Sequence, residues 1–156
     1  MMPIEVFGVD HIDLTVNDVA RSGAFYQKVL GALGFRRGEV DGVVGWGNAY
    51  MTIAIQPAAR DLAGADFNRY RVGLHHLAFK ARRRQDVDEF HRFLVAERLT
   101  VLDAPAEYPQ YGQNYYAVFF ADPDGMKLEL VHLPWGFWRR AQTDGLDPRP
   151  RYAPQR

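Results

Sequence analysis

Residues 9–16 read VDHIDLTV, and the fold turns on how this stretch is read. Strand side chains alternate between faces, so Ile12, Leu14 and Val16 fall on one side and His11, Asp13 and Thr15 on the other. The apolar side is expected to pack on a helix. The polar side opens with a histidine and an aspartate, an unusual pair for plain solvent exposure.

Working outward, this strand belongs to a segment that recurs. Residues 8–35, GVDHIDLTVNDVARSGAFYQKVLGALGF, resemble residues 73–101, GLHHLAFKARRRQDVDEFHRFLVAERLTV. Each holds an alternating strand, a polar turn with an Asp-Val pair, and an amphipathic helix that returns into an extended run. In the first helix Val19, Ser22, Phe25, Tyr26, Val29 and Leu33 fall near one face, with Asn17 or Asp18 as N-cap and Gly31 and Gly34 toward the end. In the second, Val87, Phe90 and Leu94 mark the face, after Gln85 and Asp86.

Three strand-like runs follow each helix. They are GFRRGEV, DGVVGWG and AYMTIAIQP in the first half, then LTVLDAP, NYYAVFF and GMKLELVHLP in the second, the last two joined by the turn ADPDG. The polar stretch AARDLAGADFNRYR reads as a linker. The pattern predicts an α+β protein of two βαβββ modules, about residues 8–57 and 72–133, within one domain over 1–133, followed by an extension over 134–156. In that extension Trp135, Phe137 and Trp138 are too apolar to stand in water without reason, and the Arg- and Pro-rich end reads as an extended arm.

Composition narrows the function. Lys plus Arg and Asp plus Glu each number 19, so the formal net charge is zero and the basic footprint of a nucleic-acid binder is missing. The chain has no cysteine, which excludes disulfides, thiolate metal sites and a Cys nucleophile. No apolar run approaches the roughly 20 residues of a membrane span. The opening MMPIEVFGVD lacks the pattern of a secretory signal, and the expectation is a cytoplasmic protein.

Overlaying the two first strands pairs His11 with His76, not with the adjacent His75. Parity then puts His76, Ala78 and Lys80 on the polar face and turns His75 away. In KLELVH, Leu128 and Leu130 form the apolar side and Glu129 the other. Two histidines and a carboxylate on rigid strands form a candidate facial triad for a divalent first-row metal with open positions. Spacing alone leaves a purely structural role open for each.

The two copies, and FADPDGMKLEL above all, resemble the vicinal oxygen chelate superfamily over about residues 8 to 133. That superfamily includes glyoxalase I, extradiol dioxygenases, fosfomycin-resistance enzymes and bleomycin-binding proteins. The resemblance implies paired βαβββ modules with a mixed sheet curled around a cavity, commonly in a homodimer. It assigns the metal ligands to His11, His76 and Glu129, and the cofactor to a divalent ion such as Fe, Mn, Ni, Co or Zn. It implies a metal-dependent enzyme on a small oxygenated substrate, glyoxalase-like lyase or isomerase first. The alternatives are a ring-cleaving dioxygenase and a metal-free drug-sequestering protein.

The chain departs from each known pattern. The fourth glyoxalase I ligand falls on Ala54, with Thr52 and Gln56 on the same face and Gln56 able to ligate only if the register slips by two. The extradiol tyrosine, ten residues before the final glutamate, falls on Phe119, and the fosfomycin-enzyme threonine falls on Asp13. Asp13 is the best-placed candidate general base, and Tyr116, or its neighbour Tyr115, the candidate proton donor.

Overall fold

Each helix has a local reason to begin where it does. In a computed structural model of the chain, which describes residues 4, 6 and 8–133, α1 (Val19–Ala32) starts after Asp18, whose carboxylate accepts from the Arg21 backbone N–H at 2.9 Å. The second helix, α2 (Arg84–Ala96), starts where Asp86 accepts from the Arg83 backbone N–H at 2.8 Å. The strands are β1 (His11–Val16), β2 (Arg36–Val40), β3 (Val43–Gly47), β4 (Thr52–Pro57), β5 (Leu77–Ala81), β6 (Val101–Glu107), β7 (Tyr116–Ala121) and β8 (Lys127–His132). The extension over 134–156, with Trp135, Phe137 and Trp138, lies outside the described residues.

The two halves repeat one topology. The first sheet runs β1-β4-β3-β2 and the second β5-β8-β7-β6, and neither closes on itself. In each, the first strand pairs parallel with the last and the other pairings are antiparallel. This is the expected pair of βαβββ modules. Among the described residues, one compact unit takes the chain up to Asn68 together with the turn Asp122–Met126, and the other takes Arg69–Ala121 and the chain from Lys127.

In the first unit, β1 alternates as its sequence predicts: Leu14 and Val16 are buried, while His11, Asp13 and Thr15 are exposed. α1 contributes Ser22, Phe25, Tyr26, Val29 and Leu30 to the core, beside Trp46, Ile53 and Ile55. The helix face differs from the sequence reading at both ends. Val19, the first helical residue, is exposed, and Leu30 holds the buried place in the last turn that was assigned to Leu33, now the half-buried C-cap. The β2–β3 hairpin turns through Asp41 and Gly42, both at positive φ (51° and 80°), as a two-residue Asp-Gly turn requires.

The turn ADPDG is organised by one carboxylate. Asp122 Oδ1 accepts from the backbone N–H groups of Asp124 (2.9 Å) and Met126 (2.8 Å), and Oδ2 accepts from the Tyr26 hydroxyl at 2.8 Å. Asp124 in turn accepts from the Asn17 backbone and side chain and pairs with Arg21. Tyr26 is fully buried, and burial followed by the Asp122 charge pushes its hydroxyl well above the ordinary phenol range, so it stays a donor. Tyr26→Phe should therefore strand a buried carboxylate oxygen and cost about 1–3 kcal/mol of stability. Urea denaturation of both proteins measures this, and an unchanged midpoint would show that the turn does not rely on Tyr26.

Candidate functional site

The sheet of the second unit has two chemically different faces. One packs on α2: Val87, Phe90 and Leu94 are buried, and the Phe90 ring stands edge-on to Phe120 of β7 with centroids 5.3 Å apart. Leu128 and Leu130 share that side by strand parity. The opposite face carries Ala117, Phe119 and Val131, with Tyr108 and Tyr115 packed against them, and it also carries Glu129.

Glu129 sits in the middle of β8, paired with Ala78 on one side and Phe119 on the other, and it is wholly buried. A buried carboxylate needs partners. Oε1 accepts from the Tyr115 hydroxyl at 2.5 Å. Oε2 lies 3.1 Å from His76 Nε2, yet the angles make no hydrogen bond, so this buried oxygen has no hydrogen-bond partner. Burial first, and the Glu129 hydrogen bond second, push the Tyr115 hydroxyl well above the ordinary phenol range, so it remains a proton donor.

His76 stands one residue ahead of β5, with its second ring nitrogen already engaged: His75 Nδ1 and His76 Nδ1 are 2.8 Å apart. One of the two must carry a proton. If His76 donates, its Nε2 keeps a bare lone pair beside the Glu129 carboxylate. His75 suits the acceptor role, because burial first, then the neighbouring His76 and Arg69, lower its pKa and favour the neutral ring. A ligating histidine characteristically has its other nitrogen held in this way. The residues present therefore fit a divalent metal as a partial set: one imidazole nitrogen and one orphaned, buried carboxylate oxygen, both suited to first-row ions.

The remaining assigned residues are placed as follows. His11 lies in the first unit at the start of β1, exposed, its Nδ1 2.9 Å from Asp10 Oδ1; that hydrogen bond first, then the Asp13 charge, raise its pKa. Asp13 shares the His11 face and pairs with Ala54. Ala54 holds in β4 the place that Glu129 holds in β8, since Asp13↔Ala54 and Gly45↔Ala54 repeat Ala78↔Glu129 and Phe119↔Glu129. The matching position is thus Ala54, as the alignment had it, and Gln56 pairs instead with Thr15. Among the described residues, no three His, Asp or Glu side chains stand together in a metal-holding group.

Two side chains are placed otherwise than their sequence reading suggests. Tyr116 has the α2-side parity of Val118 and Phe120. Its hydroxyl donates to Asp88 at 2.6 Å and its ring lies 3.9 Å from the Arg84 guanidinium carbon, so Tyr115, not Tyr116, meets Glu129. His75 does not turn away: it precedes the strand, where parity has no hold, and its ring contacts His76. Tyr108 and Lys127 went unremarked in the sequence, although Lys127 shares parity with Glu129. Burial, then the charges of Asp103 and Glu129, push Tyr108 up to about 12, while burial, then Arg69, lower Lys127.

Comparison with known proteins adds the family. Residues 8–130 match the model of the Glyoxalase/Bleomycin resistance protein/Dioxygenase superfamily. An uncharacterized protein, YqjT of Bacillus subtilis (strain 168), is 34% identical over 122 residues, spanning 78% of this chain and 95% of that protein. A Bacillus halodurans crystal structure superposes with a TM-score of 0.68 at 28% identity, covering 80% of this chain and 95% of that one. A glyoxalase/dioxygenase from Nostoc punctiforme gives 0.65 at 22% identity over 86% and 96% of the two chains, a likeness of fold.

The hydroxyl contact with Glu129 yields a test. Tyr115→Phe leaves Oε1 buried without its donor and should cost about 1–3 kcal/mol, whereas Tyr116→Phe removes only a partly exposed hydrogen bond and should cost about 1 kcal/mol or less. Chemical denaturation of the two variants reads the difference directly, and equal losses would contradict the placement of Tyr115.

Proposed function

The chain belongs to the Glyoxalase/Bleomycin resistance protein/Dioxygenase superfamily, and from that membership we propose that it is a metal-dependent enzyme acting on a small oxygenated substrate, by lyase or isomerase chemistry of the glyoxalase kind. One observation carries the metal dependence: Glu129 Oε2 is buried without a hydrogen-bond partner beside His76 Nε2. Without an ion, that oxygen is a standing cost. His76 and Glu129 are the proposed ligands, and the resemblance assigns His11 as a third.

A bound divalent ion would polarise a substrate oxygen. The protein's own groups supply the rest. His75 fixes the orientation of the His76 ring, and Tyr115 holds the Glu129 carboxylate by its free oxygen and keeps a proton at that atom. Asp13 remains the proposed base. Phe119, opposite Glu129, offers no hydroxyl where a ring-cleaving dioxygenase would have its tyrosine, which favours the lyase or isomerase reading. The proposed partners are a small-molecule substrate and a second copy of the chain, without nucleic acid or membrane.

Calorimetric titration with Mn(II), Ni(II), Co(II) and Zn(II) tests the proposal. The wild type should bind one ion tightly, and His76→Ala and Glu129→Gln should each abolish tight binding. His11→Ala should do the same if the resemblance assigns it correctly. His75→Ala should weaken binding by about 10–100-fold without abolishing it, as expected for a residue that orients a ligand. If wild type and all four variants failed to bind, or all bound alike, the metal-free binding-protein reading would replace this one.

A further inference from the structure

Lys127 opens β8, two residues before Glu129 and on the same face. An exposed lysine commonly extends its ammonium into water. Lys127 is half-buried, and its Nζ lies over the Phe119 ring, 3.6 Å from the centroid. Phe119 is itself paired with Glu129, so the cation is fixed beside the carboxylate by the strand register as well as by the ring. Among the described residues no carboxylate stands within ion-pair distance of Nζ. The Arg69 charge also acts on this neighbourhood, on Lys127 and His75 alike.

The ground beside this cation is aromatic. Tyr108 meets Phe119 edge-on at 5.1 Å, stacks on Tyr111 at 5.9 Å and meets Tyr115 edge-on at 6.4 Å. Ala117 and Val131 complete an apolar floor. Such a surface favours a flat, weakly polar body, and a half-buried ammonium without an acidic partner favours a negative charge at its edge.

We propose that Lys127 is a specificity-determining residue that binds the carboxylate of the substrate, whose planar body lies on the Tyr108, Tyr115 and Phe119 rings. The substrate class is thereby a small organic acid with a planar apolar part. This deepens the enzyme reading above and rests on it only for the position of the reacting centre.

The test is a calorimetric titration of the full chain in EDTA, so that metal occupancy does not enter. The probes are salicylate and its neutral amide, salicylamide, which share ring and hydroxyl and differ in charge. Wild type should prefer salicylate by about tenfold or more. Lys127→Met should abolish the preference while leaving salicylamide affinity within about twofold, and Lys127→Arg should keep the preference. Melting curves confirm that each variant is folded, and the Arg variant carries the test if the Met variant is not: loss of the preference there would count against the proposal. The assignment is overturned by equal affinities in wild type, by a preference that survives Lys127→Met, by loss of both ligands together, or by no binding of salicylate at millimolar concentration. Failure of the metal reading would appear separately, in the metal titrations, with this preference intact.

Discussion

The burial of the Glu129 carboxylate constrains the second unit more than any other interaction. A carboxylate in the middle of a sheet, flanked by Ala78 and Phe119 and closed to solvent, is tolerable only if its oxygens are answered. One is answered by Tyr115, from the residue just before β7. The other meets only the edge of the His76 ring, without hydrogen-bond geometry. The surrounding features follow from this. Tyr115 must stay protonated, His76 must be held, and His75 does the holding from the segment ahead of β5.

The first unit solves a comparable problem completely. Asp122 is also a buried carboxylate, and burial raises its pKa, but its two oxygens accept three hydrogen bonds from Asp124, Met126 and Tyr26. It is saturated and serves the turn. Glu129 is not saturated, and that contrast between two buried acids of one chain distinguishes a structural carboxylate from a candidate ligand.

The fold was legible because its signals are periodic. The alternation in VDHIDLTV, the helix spacing after it and the return of both in residues 73–101 led to two βαβββ modules, and the pairings of the two sheets repeat residue for residue around Ala54 and Glu129. Parity also put Glu129 on the correct face. It served less well wherever a residue lies outside a strand. His75 and His76 precede β5, so alternation does not govern them, and a side chain expected to turn away lies against its neighbour. In NYYAVFF the choice between Tyr115 and Tyr116 needed only the parity of Phe119, which Tyr115 shares. The Lys127 contact depends on a cross-strand neighbour, which no linear reading supplies.

The central claim is that the unanswered oxygen of Glu129 and the free nitrogen of His76 are ligands. X-ray absorption at the cobalt edge of Co(II)-loaded protein tests it most directly, because a chain without cysteine can offer only nitrogen and oxygen donors. The expected spectrum carries imidazole scattering in wild type that diminishes in His76→Ala, with a carboxylate contribution that disappears in Glu129→Gln. A spectrum of water ligands alone, or one identical in wild type and His76→Ala, would contradict the assignment.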